Sequence, residues 1–293
     1  MANDLALDKR LLRRSFEKAA AGYDAAAVLQ HEVCRRMLSR LDYIKHEPQA
    51  ILDAGSGTGN VVAALRERYP QAGLYVLDIA LAMVRRARDR APWWQRVLGR
   101  GVRPICGDIE RLPMRDAAVG MAWSNLVLQW VNEPQHAFAE FRRVLAPGGL
   151  LMFSTFGPDT LKELRAAYRG IDRYTHINRF IDMHDLGDML VHGGFADPVM
   201  DMEYMTLTYA GVPALMRDLK AIGAHNMTAG RRPGMTARAA LEAVERNYEA
   251  LRRDGRLPAT FEVIYGHAWV PLPRTPADGK PIIPIKASTR PLP

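Results

Sequence analysis

The chain has 293 residues, 48% of them apolar and 25% charged, which is ordinary for a soluble globular protein of one large or two small domains with a sizeable core. No run approaches the roughly 18 apolar residues of a membrane span, and the charged stretch from Asp4 to Arg14 is no secretory signal, so the expected location is cytoplasmic, with no membrane partner. Cys34 and Cys106 are far apart and lack neighbouring ligands, so no disulfide or metal site is expected and both should be small buried residues. The net charge of +8 favours an acidic partner: nucleic acid, an anionic membrane or an acidic protein.

Residues 1–46 read as helical, with Leu11, Leu12, Phe16, Ala19, Ala20 and Tyr23 on one face and a second pattern over Val28–Leu41. The arginines of this region suit a solvated face, and Pro48 closes it. Ala50 to Leu52 is a buried strand running into Asp53, after which Gly55, Gly57 and Gly59 let the backbone turn tightly and pass close to a ligand before a helix begins near Val61. A dinucleotide fingerprint needs its third glycine at position 60, where this chain has Asn60. The spacing instead suits S-adenosylmethionine (SAM), whose amino acid end has no pyrophosphate to be cradled. Leu74–Asp78 is the second strand, and Asp78 follows Gly59 by nineteen residues, close to the offset at which a carboxylate meets a ribose hydroxyl pair. A helix over Leu81–Arg90, a Pro92-Trp93-Trp94 connection and a third strand over Arg103–Ile109 follow. The ends of three strands thus bring Asp53, Asp78 and Asp108 to one crevice of an open parallel sheet.

The fourth strand is Val119–Trp123. The Ser124–Trp130 run after it lacks the Asn- or Asp-Pro-Pro-aromatic signature of enzymes that methylate base amines. An amphipathic helix over Ala137–Leu145, a Pro147-Gly148-Gly149 turn and a fifth strand, Leu150–Thr155, complete a doubly wound pattern. From Gly157 the alternation stops. A capping box, Thr160-x-x-Glu163, should open a helix that ends at Gly170, and the polar stretch Asp172–Phe180 follows. A helix over Asp185–Val191, a sixth strand over Val199–Tyr209, two helical patterns within 211–254 and a seventh strand over Thr260–Trp269 end the fold. Segments 157–183 and 211–254 are expected to cover the crevice of a 47–270 domain as a lid, together with residues 1–46. The tail, 271–293, is proline-rich and expected to be extended or disordered.

Asp53-Ala-Gly-Ser-Gly-Thr-Gly59, Asp78, Gly107-Asp108-Ile-Glu-Arg-Leu-Pro113 and Pro147-Gly-Gly149 resemble the class I SAM-dependent methyltransferases. More narrowly, Ala19-Ala-Ala-Gly-Tyr-Asp24, Leu29-Gln30, Trp123-Ser-Asn-Leu126, Gln129-Trp130, His176-Ile-Asn-Arg-Phe180 and Leu219-Lys-Ala-Ile-Gly-Ala224 resemble the malonyl-[acyl-carrier protein] O-methyltransferases of biotin synthesis. That family often has cysteine where this chain has Ser56, and the proline-rich tail has no counterpart in it.

The resemblance implies an α/β, doubly wound, mostly parallel seven-stranded sheet, Rossmann-like, with a helical lid. SAM would be held by Asp53, Gly55, Gly57, Gly59, Asp78, Ile79, Gly107, Asp108, Ile109 and Asn125, and the acceptor by Tyr23, His176, Asn178 and Arg179. A malonyl thioester presents a carboxylate already ionised at neutral pH, so no general base is required. An acidic carrier accounts for the positive charge as well as nucleic acid does, with Arg217, Lys220, Arg231 and Arg232 as docking positions and no nucleic-acid module in sight. Two other readings stay open: a SAM enzyme acting on a small free acid or quinone-like molecule, and an assembly factor on the same fold.

Overall fold

The computed structural model describes residues 6–90, 101–232, 234 and 237–273. Among these, seven strands make one sheet: β1 (Ala50–Ala54), β2 (Gly73–Asp78), β3 (Arg103–Cys106), β4 (Val119–Asn125), β5 (Leu145–Phe156), β6 (Ala196–Tyr209) and β7 (Leu257–Trp269). Their order is β3-β2-β1-β4-β5-β7-β6. β1 to β5 pair in parallel, whereas β7 runs antiparallel to both β5 and β6. The expected mostly parallel, doubly wound sheet is therefore the observed one.

Strand periodicity explains why helices cover both faces. Ile51, Val76, Met121 and Leu150 enter one buried cluster, and their sequence neighbours Leu52, Leu77, Ala122 and Leu151 enter the other. The first cluster is closed by α3 (Val28–Arg40) and α4 (Val62–Arg68), the second by α6 (Pro134–Val144) and α8 (Met183–His192), with α5 (Leu81–Asp89) beside β2 and β3. Burying each such side chain contributes about 1.5–3 kcal/mol, so a residue that slips to the other face has no solvent side to go to. The strand order reverses between β1 and β4, and ligands of open α/β sheets bind at that switch point.

The N-terminal region is broken into α1 (Lys9–Ala19), α2 (Tyr23–Ala26) and α3. Glu17 of α1 accepts hydrogen bonds from the backbone N–H of Leu81 (2.7 Å) and Ala82 (3.1 Å), capping α5 from another helix. Ahead of α1, Leu7 forms an antiparallel bridge with Thr228, and its backbone N–H donates to Asn132 Oδ1 at 2.7 Å. The second half of the chain adds α7 (Lys162–Tyr168), α9 (Val212–Ala221) and α10 (Arg238–Glu249).

Three expectations are corrected. The capping box does not form, because Thr160 Oγ1 bonds the Glu262 carbonyl and the Glu163 carboxylate is taken by the backbone N–H and hydroxyl of Thr260. The partner strand β7 outcompetes the local cap, and α7 starts after Leu161 at φ 54° and ends at Tyr168 rather than Gly170. Cys106 is exposed, since β3 is an edge strand, whereas Cys34 is buried. The third strand stops at Cys106, and Asp108 instead makes an isolated bridge with Arg111. The expected Pro92-Trp93-Trp94 connection and the tail beyond Pro273 lie outside the described residues. No helix among the described residues is long and apolar enough to cross a membrane.

Candidate active site

The turn after β1 gives each glycine a different reason to be there. A Cβ placed on Gly55 would lie 2.3 Å from Val127 Cγ2, and one on Gly59 would lie 2.8 Å from the Ala87 Cα. These two are packing positions. At Gly57, with φ 52°, the nearest atom would be Tyr23 Cε1 at 3.9 Å, so the missing side chain leaves room open to a ligand rather than to the protein.

Two small cavities flank this turn. The first, about 80 Å³, is lined by Gly55, Gly57, Asp78, Ile79, Gly107, Asp108, Ile109 and Asn125, with Lys9, Phe16, Tyr23 and Trp130 closing over it. Asp78 sits at its floor, 9% exposed. Its Oδ2 accepts from Gly57 N–H (3.0 Å) and its Oδ1 from Ala80 N–H (2.8 Å), so each oxygen keeps a lone pair for a further donor. Burial pushes its pKa up to about 6, against the pull of those two N–H groups. Asp108 is bonded to Glu110 N–H at 3.0 Å and ion-paired with Lys9, which also pairs with Glu110. Lys9 thereby fastens α1 over the cavity.

The second cavity, about 40 Å³, is bordered by Gln30, His31, Asp53, Ser56, Gly57 and Tyr23. Five of its buried polar atoms have no protein partner: Gln30 Oε1, His31 Nε2, Asp53 Oδ2, Ser56 Oγ and Trp123 Nε1. Asp53 is 2% exposed, and burial, then the charge of Asp78, raises its pKa to about 8. A native interior does not leave five such atoms unsatisfied around one cavity without a polar occupant to satisfy them.

Beyond the turn lies a chamber of about 350 Å³, walled by apolar side chains such as Leu29, Leu126, Phe156, Leu161, Leu164 and Phe261. It shares Phe16, Tyr23, Leu126 and Trp130 with the first cavity, so the two spaces meet there. Tyr23 borders all three spaces. It is held in place by its neighbour Asp24, which bonds Thr58 Oγ1 of the turn and pairs with Arg90 at 2.6 Å. Burial, then the charges of Asp78 and Asp24, raises the Tyr23 phenol pKa, so its hydroxyl stays protonated and able to donate. Leu126 and Leu161, both with φ 54°, put two chamber walls in a backbone region that branched side chains avoid.

A family model described as a methyltransferase domain matches residues 52–153. The malonyl-[acyl-carrier protein] O-methyltransferase of Gallionella capsiferriformans is 56% identical over 283 residues, covering 96% of this chain and 97% of its own length. The enzyme of the same name from Nitrosospira multiformis is 58% identical over 280 residues, 92% of this chain and 91% of its own. The chain belongs to the malonyl-[acyl-carrier protein] O-methyltransferase family. Among solved structures, the YcgJ protein of Bacillus subtilis aligns with TM-score 0.55 at 15% identity, covering 82% of this chain and 99% of its own. Haemonchus contortus phosphoethanolamine N-methyltransferase 2, in complex with SAM, aligns with TM-score 0.52 at 14% identity, over 87% of this chain and 57% of its own. At such identity these two speak for the fold alone.

As a member of a SAM-dependent methyltransferase family, the chain must hold a sulfonium nucleoside with a zwitterionic amino acid end, and its residues fit that group. The unpartnered acceptors Asp53 Oδ2 and Gln30 Oε1 suit an ammonium, and Ser56 Oγ and His31 Nε2 suit a carboxylate. Asp78, with spare lone pairs in the adjoining cavity, suits the ribose hydroxyls. Asn125 borders both cavities, but its amide is used within the protein, donating to the Gln30 carbonyl (3.1 Å) and accepting from Ser154 (2.8 Å). It therefore ties the strand end to the α3 backbone at Gln30.

On the acceptor side, the chamber gathers Tyr23, His176 and Asn178. His176 stacks on Tyr168 with centroids 3.8 Å apart, and its Nε2 lies 2.7 Å from Asp172 Oδ1. Asn178 is 9% exposed with Oδ1 unpartnered. Arg179 does not line this chamber: it is exposed and borders an adjoining depression that shares Gln129, Ile177, Asn178 and Phe180 with the chamber. Sequence reasoning gave no role to Lys9, Phe16, Gln30, His31 or Trp130. Phe16, Gln30 and Trp130 carried a signal, the first in the apolar face of α1 and the other two in the family resemblance. Lys9 carried none, because its partners lie a hundred residues away.

Proposed function

We propose that the chain transfers the methyl group of SAM to the free carboxylate of a malonyl thioester borne on an acidic acyl carrier protein, an early step of biotin synthesis. The observation that carries this reading is the apolar chamber that meets the cofactor cavity at Tyr23. SAM supplies an electrophilic methyl carbon on a positive sulfur. A carboxylate oxygen forms the new C–O bond as the C–S bond breaks, the pair of electrons stays on sulfur, and anion and cation become two neutral groups with no proton to move.

Charge neutralisation of this kind is favoured where water is scarce, and the leucine and phenylalanine walls supply that environment. The Tyr23 hydroxyl donates to the oxygen that does not attack, and the Asn178 amide, unpartnered at Oδ1 and able to present either end, is a second contact. Two neutral donors hold the carboxylate without burying it in an ion pair that would stabilise the ground state. His176, braced by Tyr168 and Asp172, fixes the wall beside them. We assign residues 1–46, 157–183 and 211–254 to a lid that admits the thioester and then excludes water. The enzyme acts in the cytoplasm, where its two free cysteines stay reduced.

The test is incubation of the purified protein with methyl-labelled SAM and, in parallel, malonyl carrier protein, a short malonyl thioester and free malonate. The expected product is a base-labile methyl ester on the carrier. Label transferred to a small acid but never to a malonyl thioester would overturn the reading.

A further inference from the structure

Several cations around the site are already neutralised: Lys9 by Asp108 and Glu110, Arg90 by Asp24, and Arg232 by Asp172 at 3.8 Å. Others are not. Among the described residues, Lys18 in the last turn of α1 and Lys220 in the last turn of α9 have no carboxylate within ion-pairing distance, and both are exposed. They are held near one another. Gly223, at φ 77° after α9, leaves space that Phe16 and Ala19 of α1 fill, and Ser15 Oγ donates to the Gly223 carbonyl at 3.0 Å. His225 completes the group, and its pKa is lowered by burial and then by the charges of Lys220 and Lys18, which places both ammonium groups within electrostatic reach of one ring. Lys220 and His225 line the acceptor chamber while remaining exposed, so they stand on its rim. The rim carries positive charge with no ion-pair partner at the entrance to a mainly apolar space.

We infer that Lys18, Lys220 and His225 bind the phosphodiester of the carrier's phosphopantetheine arm as the arm enters the chamber. The inference rests on the proposed carrier-borne substrate. It adds that the enzyme recognises the arm itself, through one anionic group, apart from any contact with the carrier's surface. Two ammonium groups offer charged donors and the imidazole N–H a neutral one to a phosphate, while Asp218, the carboxylate that lines the chamber, accepts from the Tyr209 hydroxyl at 2.7 Å. A single charge-assisted hydrogen bond of this kind changes affinity about tenfold or more.

The test uses two substrates that differ only in the phosphate, malonyl-phosphopantetheine and malonyl-pantetheine, together with malonyl carrier protein. For the wild type, KM is expected to be about tenfold or more lower with the phosphate present. Lys18→Ala/Lys220→Ala should abolish that preference and raise KM for the carrier substrate. Equal KM values in the wild type, or a preference that survives in the double variant, overturns the inference. If the wild type methylates none of the three, the proposed function fails, and calorimetry with unacylated phosphopantetheine and pantetheine then decides the rim: equal affinity overturns it, and tighter binding of the phosphorylated form that the double variant loses supports it.

Discussion

Asp53 and Asp78 stand at the ends of neighbouring parallel strands, both buried, and they differ in charge at neutral pH: Asp78 titrates near 6, whereas burial and the charge of Asp78 hold the Asp53 proton to about 8. Two carboxyls pushed apart in this way are suited to different parts of one ligand. A cationic ammonium beside Asp53 favours its ionised form, so SAM binding should release a proton.

The sign of the pH dependence follows. Without SAM, the folded chain keeps a proton on Asp53 that an unfolded chain loses near 4, so stability should fall as pH rises from about 4 to about 8. SAM affinity should move the other way, strengthening over pH 6–8 by up to about tenfold per unit, peaking near about 8 and weakening above it, where the ammonium loses its own proton. Calorimetry at pH 6, 7 and 8 checks this, with Asp53→Asn expected to bind weakly and without pH dependence. A wild-type affinity that is flat across the range would remove Asp53 from the ammonium site.

The three glycines of the turn should separate fold from ligand. Gly59→Ala drives a Cβ onto the Ala87 backbone and should lower the melting temperature outright. At Gly57 an added Cβ comes no nearer to a protein atom than 3.9 Å, at Tyr23 Cε1, so Gly57→Ala should cost mainly the left-handed backbone, roughly 1–2 kcal/mol, and the longer side chain of Gly57→Leu should fill the SAM space. A folded Gly57→Leu protein that still binds SAM like the wild type would contradict the placement of the cofactor.

The turn and strand ends proposed to hold SAM were legible because their pattern is local: one turn, two strand ends and their spacing. The chamber was legible only through family resemblance, since its walls come from α1, α3, the loop after β4, α7, β6, β7 and α9, and no short pattern announces that they meet. Glu163 shows the limit from the other side. Its spacing from Thr160 fits a cap, yet Thr260, about a hundred residues on, takes the carboxylate. Cys106 was misjudged for the same reason: residue type suggests burial, but position on the edge strand decides it.

Tyr23→Phe removes one hydroxyl at the meeting point of the three spaces. Methyl transfer is expected to fall about tenfold, the cost of one hydrogen bond to a charged group, with SAM affinity nearly unchanged. Arg179→Ala should leave both close to wild type, because its side chain is exposed outside the chamber. Single-turnover rates beside SAM titrations distinguish the two. A Tyr23→Phe enzyme with wild-type turnover would eliminate the hydroxyl as a carboxylate contact.

The arginines expected to dock the carrier divide into two groups. Arg232 lies 3.8 Å from Asp172, whose other oxygen holds His176, and Arg231 donates to the Thr228 carbonyl at 3.0 Å, so both are engaged within the protein. Arg217 is exposed on α9, with no carboxylate partner among the described residues. Arg232→Glu should therefore slow methylation of a short malonyl thioester as well as of malonyl carrier protein, because it loosens the chamber wall. Arg217→Glu should raise KM for the carrier alone, since a surface charge acts by steering encounter. Steering is screened within a Debye length of about 8 Å at physiological ionic strength, so higher salt should weaken the carrier reaction and leave the short thioester unaffected. The measurement is KM and kcat for both substrates at low and high salt in each variant. Equal salt sensitivity for carrier and short thioester would exclude charge-guided docking on α9, and a wild-type rate for Arg232→Glu with the short thioester would show that Asp172 holds His176 without help.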